Sequence, residues 1–310
     1  MKLLILDPLA DDYKKALESQ FPEVSILATK EEKEAGEIID KAEILFTGKI
    51  SDGLIKKAST LQWIQAKTTG VDYLINLPSL RKEVLLTSTR GIHGPQMSEM
   101  AILLMLALNR NFPQIVRNQA QRVWSRWPGK LLHRKKVGIL GVGVIGEEIA
   151  HKCKAFGMTV YGIDIVKRKV EVVDHFYGPE ELLQVISVVD YFIIVAPLTP
   201  ETRNMIGLEA LSTMGPTTFL INLGRGEIVD EDALVQVLKA RKIAGAALDV
   251  FWEEPLPKDH PLWKFKNVII TPHMGGVSDI YMEQVLSIFE ENLRRFLKGE
   301  RRNLINLVEW

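Results

Sequence analysis

Short runs of consecutive apolar residues alternate along this chain with polar segments of helical period, and the alternation predicts βα units. Residues 2–6, 24–27, 44–46, 63–66 and 84–87 form the first series of runs. They are too short for helices and too continuous for strands with one wet face, so they predict strands buried on both faces of a parallel sheet. Helices are predicted between them over 12–20, 30–39 and 53–57. A second series follows at 137–140, 159–163, 172–176, 191–195, 218–223, 244–250 and 268–271, with 172–176 the weakest. Its intervening helices are predicted over 179–186, 207–214 and 231–239, which makes this part doubly wound as well.

Two features divide the series. The loop at 89–95, TRGIHGP, carries two glycines and a proline and precedes a long apolar helix at 97–108, a composition shift expected of a domain crossing. The last amphipathic segment, 279–296, places Met282, Val285, Leu286, Phe289, Leu293 and Phe296 on one side. It is expected to return to the first domain and make it discontinuous. Residues 110–135 are polar and basic with Trp124 and Trp127, a partly exposed arm whose aromatics favour a subunit contact.

The chain is organised around residues 136–164, where a strand enters a glycine-rich turn and leaves as a helix. Gly141, Gly143 and Gly146 have the G-x-G-x-x-G spacing of a dinucleotide cradle. Gly141 permits the tight turn, Gly143 lets a pyrophosphate approach the backbone, and Gly146 lets the helix lie close on the strand. The first-turn N–H groups, including those of Val144 and Ile145, face the phosphates. The helix is expected to bury Ile145, Ile149, Cys153 and Phe156. The next strand ends at Asp164, 18 residues past Gly146, where an acid suits a ribose diol. That acid disfavours a 2′-phosphate and favours NAD, whereas Lys167, Arg168 and Lys169 would admit NADP if their loop turned inward.

Composition narrows the partners. With 39 basic and 39 acidic residues among 310, there is no global field for nucleic acid or an anionic membrane, so small molecules or proteins are expected. The single cysteine, Cys153, excludes an intrachain disulfide and is expected as a core thiol, consistent with a reducing cytoplasm. The N-terminal apolar run at 3–6 is too short for a signal-peptide core, and no uninterrupted apolar run reaches membrane-spanning length.

Candidate chemistry lies after three strands. Arg225 follows the run at 218–223, Glu254 lies beyond 244–250, and His273 follows 268–271. Carboxyl ends of neighbouring parallel strands converge, so a guanidinium, a carboxylate and an imidazole are expected near the nicotinamide. Arg225 can hold a substrate carboxylate and polarise the adjacent carbonyl, His273 can exchange a proton with its oxygen, and Glu254 can orient the ring. In the first domain the loop TTGVD at 68–72 either grips a carboxylate through its backbone or simply connects strand to helix. Arg90 and His93 are either substrate contacts or structural, and Met97, Trp124 and Trp252 are candidate pocket walls. No metal-ligand motif is present.

Five stretches together resemble the D-isomer-specific 2-hydroxyacid dehydrogenases. They are the glycine turn at 141–146, APLTPETRNMI at 196–206, INLGRGEIVD at 221–230, ALDVFWEEP at 247–255 and NVIITPHMGG at 267–276. The resemblance spans essentially the whole chain. It implies an α/β protein of two doubly wound parallel-sheet domains: a Rossmann-type cofactor domain, residues 96–277, inserted in a discontinuous flavodoxin-like substrate domain, residues 1–95 and 278–310. It further implies a catalytic triad of Arg225, Glu254 and His273. Cofactor contacts fall on Ala196, Pro197, Thr202, Leu223, Gly224, Arg225, His273 and Gly275, with Asp249 orienting the nicotinamide amide. Thr69, Gly70 and Val71 fall on the loop that receives the substrate carboxylate.

The implied activity is reversible hydride transfer between NAD(H) and a small 2-keto acid, such as glyoxylate or hydroxypyruvate, in a cytoplasmic homodimer formed through the cofactor domain. Leu223, Gly224 and Ser98 depart from the family's commoner residues, which bears on pocket shape. No regulatory domain is expected after Trp310. A formate-dehydrogenase-like enzyme is disfavoured because Glu254 stands where that branch uses an amide. The rival of another class is a non-catalytic NAD(H)-sensing binding protein of the corepressor type.

Overall fold

The structure, a computed structural model, describes residues 1–310. Its strands pair in two sheets whose ladders are all parallel. The chain separates into two compact units, Met1–Ile92 with Ser278–Trp310, and His93–Val277.

In the first unit β1 (Lys2–Leu6), β2 (Ser25–Thr29), β3 (Ile44–Thr47), β4 (Trp63–Ala66) and β5 (Leu85–Thr87) lie in the order β2-β1-β3-β4-β5. Successive side chains point to opposite faces, so a continuous apolar run fills both. Leu4, Leu45, Ile64 and Leu86 pack on one face, and Leu3, Ile5, Phe46 and Trp63 on the other. The latter face is covered by helices Ala10–Glu18 and Tyr281–Leu297. Phe289 lies 4.9 Å from the Phe46 ring and Phe296 5.0 Å from Trp63, and burying each is worth roughly 2–3 kcal/mol. Buried Asn292 adds direction to this packing by donating to Gln65 Oε1 and accepting from the N–H of Ile305. The helix predicted over 30–39 is shorter, Glu32–Ala35, followed by a 3₁₀ turn Ile39–Lys41. Gly36 between them lacks a side chain to hold a longer helix.

The second unit contains β6 (Lys136–Leu140), β7 (Thr159–Ile163), β8 (His175–Tyr177), β9 (Tyr191–Ile194), β10 (Phe219–Asn222), β11 (Gly245–Leu248) and β12 (Val268–Ile270). Their order, β12-β11-β10-β9-β6-β7-β8, reverses direction between β6 and β9, the switch point where such sheets bind ligands. The weak strand lies at 175–177 rather than 172–176; Val172 and Val173 instead pack as partly buried residues against the core. Phe156 is exposed, not part of the buried face, because the helix Val144–Ala155 ends there and Gly157 turns the chain at φ 70°. Cys153 is fully buried, and burial pushes its thiol up to about 12. The arm at 110–135 contains a helix, Phe112–Ala120, and leaves Trp124 93% exposed. No helix is long and apolar enough to cross a membrane.

Candidate active site

Because the second sheet is wholly parallel, the residues following each strand gather at one edge. The glycine turn follows β6, Asp164 follows β7, Ala196 and Pro197 lie beyond β9, Leu223 to Arg225 follow β10, Asp249 follows β11, and His273 lies beyond β12.

The turn has two structural glycines and one that the fold does not require. Gly141 sits at φ 95°, and a Cβ there would come within 2.7 Å of the Ala196 nitrogen. A Cβ on Gly146 would stand 2.0 Å from the Gly141 carbonyl oxygen, so any side chain would push the helix off the strand. At Gly143 a Cβ would meet nothing within 4 Å. The backbone there borders open space, as close approach of a pyrophosphate demands. No side chain caps the first turn of the helix, which leaves its N–H groups for an anion.

Asp164 stands beside this turn and helps build it. Its Oδ2 accepts the N–H of Val142 at 2.7 Å and its Oδ1 that of Val166 at 3.3 Å. The basic run divides. Lys167 turns to Glu180 and Glu181, whereas Arg168 turns inward, donating to the Val142 carbonyl at 2.8 Å and pairing with Glu147. Opposite signs of charge therefore adjoin the same turn.

Beyond β9, Thr202 closes a tight loop by donating to the Pro197 carbonyl and accepting from the N–H of Thr199, both at 2.8 Å. Beyond β10, Asn222 accepts the Gly224 N–H and donates to the Arg225 carbonyl, fixing the backbone from which the guanidinium projects. Arg225 Nη1 also donates to the Gly224 carbonyl at 2.8 Å. Gly226 lies directly under Phe251, with a Cβ 2.0 Å from its carbonyl carbon. The Arg225 turn and the Glu254 loop are thereby packed backbone to backbone.

His273 Nδ1 lies 2.7 Å from Glu254 Oε2, and Glu254 Oε1 accepts the N–H of Phe251 at 3.0 Å. A carboxylate only accepts, so Nδ1 carries the hydrogen and Nε2 is the outward nitrogen. The histidine side chain is 48% exposed and available to a ligand. Its backbone adopts φ 50°, a left-handed conformation costing about 1–2 kcal/mol for a residue with a Cβ. Asp249 holds it there. Its carboxylate accepts the Thr271 hydroxyl at 2.5 Å and the N–H groups of Met274 and Gly275 at 3.0 and 2.8 Å, and its carbonyl accepts the His273 N–H.

The anchoring role of Asp249 was not apparent in the linear sequence, where only LDVF and its later partners PHMGG are visible. The same is true of Thr271 and Asn222, each a polar residue ending an apolar strand. Trp252 donates to the Val229 carbonyl at 2.7 Å and packs within 5.9 Å of Arg203. His93 lies in the second unit, where Gly276 leaves room for its ring, with a Cβ there only 3.0 Å from His93 Cδ2. In the first unit, the Thr69 to Val71 loop follows β4 and leads into a short helix, Asp72–Ile75. Thr68 braces it by donating to the Gly70 carbonyl at 2.8 Å.

A parallel sheet reversing at β6, with a glycine cradle beside the switch point, is the arrangement of a dinucleotide-binding Rossmann domain. Residues 102–275 match the family described as "D-isomer specific 2-hydroxyacid dehydrogenase, NAD binding domain". The chain belongs to this family.

The D-3-phosphoglycerate dehydrogenase of Methanocaldococcus jannaschii is 33% identical over 99% of the chain, which spans 60% of that relative's length. A crystal structure of a D-isomer specific 2-hydroxyacid dehydrogenase family protein from Aeromonas salmonicida is 34% identical with a TM-score of 0.92, covering 99% of this chain and 98% of the other. The structure of an NADPH-dependent glyoxylate/hydroxypyruvate reductase from Sinorhizobium meliloti, in complex with NADP and sulfate, is 25% identical with a TM-score of 0.86, covering 99% and 98%.

Proposed function

We propose that this protein reduces a small 2-keto acid of the glyoxylate or hydroxypyruvate class to the corresponding D-2-hydroxy acid, reversibly, with Arg225, Glu254 and His273 as its catalytic residues. The observation that carries the reading is the His273–Glu254 pair at 2.7 Å, with the other ring nitrogen unclaimed by that carboxylate. The family resemblance supports the remaining roles.

The first unit is the substrate domain, and its Thr69, Gly70 and Val71 backbone receives the substrate carboxylate. Arg225 binds the carboxylate and the carbonyl oxygen through its forked guanidinium, drawing electron density from the carbon to be reduced. His273 Nε2 donates its proton to that oxygen, while Glu254 fixes the ring and stabilises the charge exchanged at it. In the reverse direction Nε2 takes the proton from the hydroxyl. The nicotinamide cofactor, when bound, supplies the hydride for reduction and accepts it in oxidation.

Gly141, Gly143 and the N–H groups of Val144, Ile145 and Gly146 would hold the cofactor's pyrophosphate. Ala196, Pro197, Thr202, Leu223, Gly224 and Gly275 would line the rest of the cofactor, and Asp249 would orient the nicotinamide amide. Asp164 beside the turn favours the free ribose diol of NAD. The inward Arg168 supports a second reading in which the 2′-phosphate of NADP is accepted. The exposed Trp124, with Val123, Phe112, Val116 and Leu131 also exposed, supports a homodimer formed through the cofactor unit, and the single, buried Cys153 accords with a reducing cytoplasm.

The test is the loss of NADH and NADPH absorbance with a panel of 2-keto acids, repeated with His273→Ala. Turnover of glyoxylate or hydroxypyruvate is expected, falling about 10²–10⁴-fold in the variant. No turnover of any 2-keto acid with either cofactor, or full activity in the variant, would sink the assignment.

A further inference from the structure

At the carboxyl edge of the five-stranded sheet, the residues that follow β1 and β4 form a buried ion pair. Lys67 Nζ donates to Asp7 Oδ2 at 2.5 Å, and Asp7 Oδ1 accepts the N–H of Leu9 at 3.0 Å. The Asp7 side chain is 1% exposed, whereas that of Lys67 is 19% exposed. Gly48, just after β3, makes room for the pair, with a Cβ there lying 3.6 Å from Lys67 Cε and 3.7 Å from Asp7 Oδ2. The lysine backbone is clamped as well, its carbonyl accepting the hydroxyls of Tyr281 and Thr89, each at 2.8 Å.

Such a pair is a poor device for stability alone. Withdrawing both charges from water roughly cancels their attraction, and an apolar pair of similar volume would hold the edge as well. It does fix a cation in space. The ammonium has three N–H groups and spends one on Asp7, with no other acceptor in the protein. Lys67 also stands two residues before Thr69, in a segment whose next turn is braced by Thr68 and by the Tyr73 hydroxyl donating to the Gly48 carbonyl.

We infer that Lys67 is a specificity-determining residue whose ammonium, positioned by Asp7, binds an oxygen carried on C3 of the 2-keto acid. This rests on the reading that the Thr69 to Val71 backbone receives the substrate carboxylate. A cation held rigidly near that loop selects substrates with a hydroxyl or carboxylate at C3 over those with hydrogen or alkyl groups there. An analogue lacking the oxygen leaves the N–H groups that Asp7 does not take without an acceptor in the substrate, and sites built to bond a substrate oxygen discriminate strongly against such analogues.

Hydroxypyruvate and pyruvate differ by the single C3 hydroxyl, so the ratio of their kcat/KM values isolates the contact. The ratio is measured in the wild-type protein, in Lys67→Met, and in Asp7→Asn combined with Lys67→Met, which leaves no buried charge unpaired. The wild type is expected to favour hydroxypyruvate by about ten-fold or more, and both variants to lose most of that preference. Should Lys67→Met fold poorly, the double variant alone carries the test. An unchanged ratio in the variants, or a wild type that prefers pyruvate, overturns the role of Lys67. Failure of the wild type to reduce any 2-keto acid overturns instead the activity on which the inference rests, and the inference with it.

Discussion

Replacing Asp249 by alanine tests whether the proton-transfer histidine is held by a buried carboxylate. Asp249 is 1% exposed, and the substitution strands the Thr271 hydroxyl and the N–H groups of Met274 and Gly275. Each buried donor left unmade costs about 1–3 kcal/mol. Met274 and His273 are themselves exposed, so water reaches part of the loop and the low end of that range applies, giving about 3 kcal/mol in total. The loop also stores about 1–2 kcal/mol in the left-handed backbone of His273. Without the carboxylate that strain is released by unwinding, which carries the imidazole away from Glu254.

Urea unfolding without cofactor should therefore show Asp249→Ala destabilised by about 3 kcal/mol, with turnover at least about 100-fold lower. Asp249→Asn should fall between, since its amide oxygen can still serve Thr271 and Met274 while its NH₂ opposes the Gly275 N–H. Measuring stability in the apo protein separates this anchoring from any contact with nicotinamide. An alanine variant within about 0.5 kcal/mol of wild type and fully active would mean that Asp249 does not anchor the histidine loop.

Two further outcomes follow from the glycine turn and from His93. Gly143→Ala should keep wild-type stability but bind NADH weakly, because its Cβ meets no protein atom; Gly146→Ala should destabilise the fold itself, because its Cβ meets the Gly141 carbonyl at 2.0 Å. Equal stabilities by thermal unfolding would contradict the distinction. Burial pushes His93 down to about 4, so between its unfolded value of about 6.5 and that point the unfolded chain binds more protons. Stability is thus retained above about 6.5 and lost as pH falls toward 4, by about 2 kcal/mol at pH 4.5. His93→Gln should flatten this slope, and parallel stability curves from pH 7 to 4.5 would count against it.

The α/β class, the strands and the glycine cradle are legible in the chain alone, because each depends on local order. Burial on both faces writes itself as a continuous apolar run, and a phosphate turn needs small residues at fixed spacing. The strand ends were legible for the same reason: Arg225, Glu254 and His273 are polar residues just beyond apolar runs. The local sequence misplaced β8 and overextended the helix at 30–39, where the signal is weak and neighbouring packing decides. Folding alone brings Glu254 to His273, Asp249 to a loop more than twenty residues away, and Lys67 back to Asp7 across the sheet. Those contacts join segments remote in the chain. Strand order and register set their distances, and neither is encoded in any one segment's periodicity.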